Sequence, residues 1–231
     1  VIRPKSPKIG VMGKVTAKVE SGPEKGRKAA YFARNRAALI LATQELLGKK
    51  GWVATIEEVA SNAEVSVSTV YQHFDSKDEL FKACISEGWA TFVGWALEAA
   101  SKTKDPVEQL VVPMRLMARM TGTHPMFAKM VAKNQNEITQ MIPALTKDLS
   151  DVMRLLVKAK VLEVDNADIR ISNLKAVLWQ IFLSHLNDPK SKATEADQAI
   201  AIALPMLGIS PSKANAITTA ELPVDATKQV L

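Results

Sequence analysis

The sequence predicts an all-α fold. Its 231 residues include only 10 glycines, whereas helix-favouring Ala, Leu and Lys are abundant. Helix-capping patterns recur along the chain, and no segment alternates polar and apolar residues as a half-buried strand does. Hydrophobic residues make up 47% of the chain, which is ample for a core.

Positive charge is concentrated at the N-terminal end. The net charge is +6, but residues 1–50 hold 12 Lys and Arg against 3 Asp and Glu, so the remainder carries a net charge of −3. This asymmetry suits a protein that meets phosphate with one end, and a solvated basic tail explains it equally well. We expect residues 1–26 to be a flexible basic arm, with candidate minor-groove contacts at Lys5, Lys8, Lys14 and Lys18.

Several classes of protein do not fit the sequence. The single cysteine, Cys84, makes neither an internal disulfide nor a thiolate metal cage, and it suits a reducing compartment. No apolar run reaches the ~20 residues of a membrane span, and the start has no signal-peptide core. The usual hydrolase, metalloprotease, P-loop and C-x-x-C patterns do not occur. We therefore expect a soluble cytoplasmic protein with no catalytic site, metal or cofactor.

The most informative segment lies between residues 55 and 81. A first helix, predicted from Lys28 to Leu47, precedes it. Thr55 and Glu58 form a T-x-x-E capping box that starts a short helix. Residues 63–65 make a turn, and Ser66 caps a second short helix that reaches Phe74.

A third helix follows, with a second capping pattern at Ser76 and Glu79. Ile56, Val59 and Val70 are expected to face a shared core. Two short helices around a tight turn, followed by a freshly capped third, predict a helix-turn-helix.

A helix-turn-helix reads DNA by placing its second helix in the major groove, where the first residues reach base edges. The candidates are small or polar groups at the start of that helix and at neighbouring helix starts, and basic groups in the first helix. Any one of them could instead only cap or pack, whereas together they predict DNA binding. They are Thr55, Ser66, Val67, Ser68, Thr69, Tyr71, Gln72, His73 and Lys77, with Arg27, Lys28, Arg34 and Arg36 in the first helix.

The stretch from Arg36 to Phe81 resembles the DNA-binding domain of TetR-type transcriptional regulators. The turn departs from the family at Glu64, where glycine is usual, so a residue with a side chain has to adopt positive φ at a cost of ~1 kcal/mol. The resemblance rests on Leu39, Ile40, Ala42, Leu46, Leu47, Gly51, Thr55, Ile56, Val59, Ala60, Ala63, Val65, Ser66, Thr69, Val70, Tyr71, His73, Phe74, Ser76, Lys77, Glu79, Leu80 and Phe81.

The resemblance implies a homodimer that binds double-stranded operator DNA. It implies a three-helix DNA-binding domain over residues 27–75, and a larger helical domain over residues 76–208 that binds a ligand and dimerises. Residues 209–231 are expected to be a loose tail. Most such regulators are repressors that a small molecule releases from DNA.

Within residues 76–208 we expect helices near 76–101, 133–160 with a bend at Pro143, 165–186 and 192–208, and two further helices that begin at Pro106 and Pro125. Pliable methionines and flat aromatic rings can shape a pocket for a hydrophobic effector, and the alternative is an ordinary helical core. The candidate ligand-binding residues are Trp89, Phe92, Trp95, Met114, Met117, Met120, Phe127, Met130, Asn134, Trp179 and Phe182.

The last two long helices carry apolar stripes that would form a four-helix dimer interface, unless they bury against their own domain. The candidate interface residues are Leu174, Val177, Leu178, Ile181, Ile200, Leu204 and Leu207. A different regulator, with no small-molecule ligand and controlled by a protein partner, is the alternative function. A cluster packed by the chain's own side chains favours that alternative, and a sizeable apolar cavity favours a ligand sensor.

Overall fold

A computed structural model describes residues 23–141, 144–188 and 190–224. All regular secondary structure in these ranges is helical, which confirms the predicted all-α fold. The helices are α1 Pro23–Lys50, α2 Ile56–Asn62, α3 Val67–His73, α4 Lys77–Ala100, α5 Pro106–Thr123, α6 Pro125–Lys133, α7 Gln135–Met141, α8 Ala144–Lys158, α9 Ala167–Asn187, α10 Ala193–Ala203 and α11 Pro211–Thr219, with 3₁₀ turns at Gly51–Val53 and Leu204–Leu207.

The chain divides into two compact units, one ending at Arg34 and one beginning at Asn35. In the first unit the described residues form the start of α1, where the Arg34 guanidinium lies 5.1 Å from the ring centre of Tyr31. Helix α1 begins at Pro23, so residues 23–26 are helical and do not belong to a flexible arm. Proline is favoured at the first position of a helix because its missing N–H has no partner there in any case. Residues 1–22, with the four lysines of the predicted arm, lie outside the described residues.

The second unit contains α2 and α3, and its first hydrophobic cluster holds them against α1 and α4. Val59, Val70 and Leu80 are fully buried there, and Ile56 and Phe74 nearly so. The predicted core positions of the helix-turn-helix are therefore confirmed. This cluster continues into α5 and α6 through Met120, Phe127 and Met130, among others.

A second hydrophobic cluster joins α5, α9, α10 and α11. Helix α5 connects the two clusters, and its half-buried Met117 packs against both of them. The predicted helix over 133–160 is two helices, α7 and α8, and Pro143 between them lies outside the described residues. The predicted last helix ends as a 3₁₀ turn, which Gly208 closes at a φ of +75°.

The expected loose tail is wrong for residues 211–219, which form α11. Ser210 caps this helix, since its Oγ accepts a hydrogen bond from the Lys213 N–H at 3.3 Å, and Pro211 occupies the first turn. Ala214 and Ile217 are buried in the second cluster. Cap, proline and two apolar residues three apart are a helix signal that the sequence already contained.

Candidate nucleic-acid interface and effector region

The two short helices begin at the predicted caps. Thr55 Oγ1 accepts a hydrogen bond from the Glu58 N–H at 3.3 Å, and the Glu58 carboxylate accepts one from the Thr55 N–H at 3.1 Å. Ser66 Oγ accepts from the Thr69 N–H at 3.1 Å and starts α3. These bonds satisfy amides that would otherwise lack partners, and so they fix where each helix begins.

The turn between the helices is tight. The Val65 N–H donates to the Ala60 carbonyl at 3.0 Å, and the Glu64 N–H donates to the Ser61 carbonyl at 3.2 Å. Glu64 has a φ of 55°, in the left-handed region. The predicted positive φ at this departure from the family pattern is confirmed, and its cost of ~1 kcal/mol is the local strain of the turn.

Helix α3 presents one polar face to solvent. Ser68, Tyr71 and Gln72 are exposed and are neighbours on a helix surface, because they are three and four positions apart. Val70 on the opposite side is fully buried. The Ser66 hydroxyl lies 2.8 Å from the Ser68 hydroxyl and 2.8 Å from that of Thr69, which orients the N-terminal end of this face.

The remaining candidates of this segment lie at the edges of that face. Thr55, Ser66 and Val67 are exposed, whereas Thr69 and His73 are half-buried. Burial, with a smaller contribution from the Arg36 charge, lowers the pKa of His73 and favours its neutral form. The basic candidates Arg27, Lys28 and Arg34 are exposed residues of the first unit.

Lys77, a candidate DNA contact, is bonded within the protein. Its ammonium donates to the Trp52 carbonyl at 2.8 Å and lies 5.3 Å from the centre of the Phe81 ring. The Trp52 indole in turn packs edge-on against Phe81, with ring centres 5.2 Å apart, and donates to Asp78 at 3.3 Å. Lys77 therefore braces the 3₁₀ turn after α1 against the start of α4.

Only half of the second predicted capping box forms. Ser76 Oγ accepts from the Glu79 N–H at 3.1 Å, but the Glu79 carboxylate accepts from the Asp75 N–H, at 2.6 Å, and not from Ser76. The cap thus extends one residue further along the loop between α3 and α4.

Arg36 is also held within the protein. Its guanidinium forms a two-pronged ion pair with Glu87 of α4, with the Nη1–Oε2 bond at 2.7 Å, and lies 5.3 Å from the centre of the Phe74 ring. The hydrogen bond from Arg36 lowers the pKa of Glu87. This pair joins α1 to α4, which gives Arg36 a structural role.

The candidate ligand-binding residues lie inside the body and are packed by the chain's own side chains. A Cβ built on Gly88 of α4 would lie 2.4 Å from the Phe127 ring, which shows how closely α4 and α6 pack. Met114 lies in the second cluster, whereas the others belong to or pack on the first. Phe92, Met114, Met120, Phe127, Met130, Asn134 and Phe182 are buried, and Trp89, Trp95, Met117 and Trp179 are partly buried.

Asn134, offered as a polar ligand contact, ties the body to the DNA-binding helices. It is 0% exposed, and its Nδ2 donates to the Leu47 carbonyl at 3.1 Å and to the Met130 carbonyl at 2.7 Å. Leu47 is in the last turn of α1. Nearby, a Cβ on Gly48 would lie 3.5 Å from the Met130 nitrogen, so the end of α1 rests directly on the backbone of α6.

The described residues form a cleft elsewhere, which the sequence did not indicate. It has a volume of about 780 Å³ and lies between α5 and the segment after α11, at Arg115, Arg119 and residues 219–224. Both arginines bind Asp197 of α10, 78 and 82 residues away along the chain. No local motif predicts a contact between residues so far apart.

The predicted dimer-interface residues are part of the chain's own core. The stripes of α9 and α10 pack in the second cluster, against α5 and α11, and so these side chains are withdrawn from the surface. Leu174, Leu178, Ile181, Ile200, Leu204 and Leu207 are buried, and Val177 is partly buried. The outer side of α10 instead exposes Ile202, at 80% of its full exposure.

Within the described residues, no set of three or more His, Cys, Asp or Glu side chains is arranged to hold a metal ion. The described helices include none with the length and apolar character to cross a membrane. Cys84 is buried, and burial raises the pKa of its thiol.

The capped turn, the buried core beneath it and the exposed polar face of α3 define a helix-turn-helix DNA-binding protein. Residues 39–84 match the family model of bacterial regulatory proteins of the tetR family. Residues 39–84 therefore form a DNA-binding domain of the tetR family of bacterial transcriptional regulators.

Solved structures share the fold over most of the chain. A TetR family transcription regulator from Marinobacter aquaeolei is 16% identical, with 78% of this chain and 98% of that one covered and a TM-score of 0.65. NalD of Pseudomonas aeruginosa, the secondary repressor of the MexAB-OprM multidrug efflux pump, is 19% identical, with 76% and 98% covered and a TM-score of 0.61. RolR in complex with its ligand resorcinol is 18% identical, with 85% and 98% covered and a TM-score of 0.58. A comparison with curated proteins found no match.

Proposed function

We propose that the chain is a cytoplasmic transcriptional repressor that binds operator DNA as a homodimer and is released by a hydrophobic small molecule. The observation that carries the DNA-binding part is the exposed face of α3 with Ser68, Tyr71 and Gln72 on it. Gln72 can read adenine through paired hydrogen bonds, and the Val67 methyls can contact a thymine methyl. Arg27, Lys28 and Arg34 are exposed and add contacts to DNA phosphates. Because these contacts are electrostatic, we expect the affinity for DNA to fall as the salt concentration rises.

Two of the similar structures support the regulatory part of the proposal. NalD is a repressor, and RolR was crystallised with resorcinol, a small aromatic ligand. A ligand that shifts α6 would act on the DNA-binding helices directly, because Asn134 bonds α6 to the end of α1 and Gly48 rests on the α6 backbone. One route from the body to the helix-turn-helix thus runs through the packed contact between α6 and the end of α1.

A second candidate function is a DNA-binding regulator controlled by a protein partner, with no small-molecule ligand. The close packing of the candidate ligand-binding cluster, with Phe127 against Gly88, favours it. An effector screen by thermal denaturation separates the two, since a ligand that binds only the folded state raises the melting temperature.

DNA binding is tested by selecting bound sequences from a random duplex pool and measuring affinity by fluorescence anisotropy. We expect Gln72→Ala and Tyr71→Ala each to weaken binding to the selected sequence by about 1–3 kcal/mol, with Gln72→Ala relaxing the preference at one base pair. Gln140→Ala, an equally exposed glutamine on α7, is the control and is expected to bind as the wild type does. If all three variants bind DNA with wild-type affinity and specificity, α3 is not the reading helix.

A further inference from the structure

The cleft between α5 and residues 219–224 is built over a buried cluster of three charges. Arg115 donates to Asp197 from Nε at 2.9 Å and from Nη2 at 3.1 Å. Arg119 donates to the same carboxylate from Nη1 at 2.6 Å and again from Nη2. Each Asp197 oxygen therefore already accepts two hydrogen bonds, so the carboxylate has no acceptor position left.

The cluster of Arg115, Arg119 and Asp197 has a formal net charge of +1. Two guanidinium groups share a single carboxylate. The side chains of Arg115, Arg119 and Asp197 retain only 5%, 14% and 9% of their exposure, so water solvates the extra charge poorly. Glu221, the acidic residue in the cleft lining, is exposed and well hydrated, and is therefore a weak partner.

Arg119 is the group that reaches the cleft with bonding capacity left. Its Nη1 and Nη2 bind Asp197, and Nη1 also approaches the Arg115 carbonyl at 3.4 Å. Among the described residues, no hydrogen bond uses its Nε–H. Arg115, in contrast, is more deeply buried, and its third nitrogen, Nη1, donates to the Ile217 carbonyl at 3.0 Å. An anion entering the cleft would thus meet Arg119 first.

Part of the cleft lining is apolar. Leu222 and Val224 line it and are partly buried against the first hydrophobic cluster, and Pro223 lies between them. A ligand suited to both parts of the lining has a negative head and an apolar body. A planar carboxylate can accept from the Nε–H and the second Nη2–H of Arg119, the two donors on the edge of the guanidinium that Asp197 does not use.

We propose that this cleft binds a small organic acid, with its carboxylate on Arg119 and its apolar part on Leu222 and Val224. The described lining of the cleft includes none of the aromatic and methionine residues from which the sequence predicted the effector pocket. The proposal names the chemical class of the effector and rests on the ligand-responsive function proposed above. Helix α5, which carries Arg119, leads directly through His124 into α6, the helix that contacts α1.

The test compares acids with their uncharged amides on the full chain. Hexanoate and benzoate are titrated by calorimetry and thermal denaturation beside hexanamide and benzamide. We expect the acids to bind and raise the melting temperature, and the amides to bind at least about tenfold more weakly, as the loss of a charged hydrogen bond implies. Equal binding of acids and amides, or no binding of either acid, would overturn the proposal.

Two matched pairs of variants locate the site. Arg119→Gln is expected to weaken acid binding at least about tenfold, whereas Arg154→Gln, at an exposed ion-paired arginine of α8, is expected to change nothing. Thr219→Glu places a negative charge on the exposed rim of the cleft and is expected to weaken binding, while Thr219→Gln of similar size is not. The second pair leaves the buried cluster intact and decides the matter if Arg119→Gln does not fold. Unchanged acid binding in Thr219→Glu would contradict the assignment to this cleft.

DNA affinity measured on the same preparations keeps the two proposals apart. Wild-type protein that binds DNA but no acid refutes the cleft and leaves the proposed function standing. Protein that binds the acids but no DNA refutes the proposed function and leaves the cleft standing. Acid that lowers DNA affinity in the Thr219→Gln variant but not in Thr219→Glu supports both.

Discussion

Glu64 adopts a backbone conformation that is unfavourable for a residue with a side chain. It holds a φ of 55° in the turn between α2 and α3, where a residue with a Cβ costs about 1–2 kcal/mol and glycine does not. Glycine also increases the conformational entropy of the unfolded chain, and this cancels about 0.4–1 kcal/mol of the stability gained by removing the strain. We predict that Glu64→Gly raises the free energy of unfolding by about 0.5–1 kcal/mol, measured by urea titration.

The control for this prediction is Glu57→Gly. Glu57 is exposed in the first turn of α2, where the backbone is helical, so glycine is expected to lower stability by up to about 1 kcal/mol. The same sign of change in both variants would contradict strain at Glu64.

Single residues also show where local sequence patterns stop being informative. Thr55 and Ser66 cap the helices that the sequence predicted, because a cap involves atoms only two or three residues away. Arg36 and Lys77 were both expected to meet phosphate, yet Glu87 and the Trp52 carbonyl hold them. Those partners are 51 and 25 residues away, and only the folded chain brings them close.

At the scale of helices, the close contact between α4 and α6 depends on a glycine, which has no side chain. Gly88 of α4 faces Phe127 of α6, and a Cβ there would come within 2.4 Å of the ring. Phe127 is almost fully buried, so it has little room to move. We predict that Gly88→Ala lowers the free energy of unfolding by about 1–3 kcal/mol, the usual cost of overpacking a core, measured by thermal or urea denaturation.

Helix α4 contains its own control. Gly94 is exposed, and among the described residues no atom outside its own stretch of helix lies within 4 Å of a Cβ built there. Gly94→Ala is therefore expected to raise stability by about 0.5–1 kcal/mol through helix propensity alone. A Gly88→Ala variant that gains stability as Gly94→Ala does would show that α6 is not packed against α4 in this way.

Helix positions were more predictable than helix partners. The starts of α2, α3 and α5 follow from capping residues, and the described part of the chain has them within a residue or so of the prediction. Helix α11 was not predicted, although its cap Ser210 and its first-turn Pro211 are local signals of a helix start. Its burial depends on Ala214 and Ile217 finding the second cluster, which no local pattern specifies.

At the scale of the whole molecule, apolar periodicity identified what is buried but not against what. The stripes on α9 and α10 were expected to meet a second subunit, and they pack against α5 and α11 of the same chain. The aromatic and methionine residues were predicted to line a pocket, and in the single chain they belong to the two hydrophobic clusters or pack against them. The cleft over Arg119 was not predictable because its charges come from helices some 80 residues apart.

A dimer through α9 and α10 must therefore use the outer sides of these helices. Ile202 on α10 is 80% exposed in the single chain, and burying it would contribute about 1.5–3 kcal/mol to association. We predict that Ile202→Asp dissociates the dimer at micromolar concentration and lowers DNA affinity, because one subunit then binds one half-site alone. Leu97→Asp, at an exposed leucine of α4, is the control and is expected to leave the dimer intact. Sedimentation velocity measures the association state, and circular dichroism checks that both variants stay helical. A folded Ile202→Asp variant that remains dimeric would place the interface on another surface.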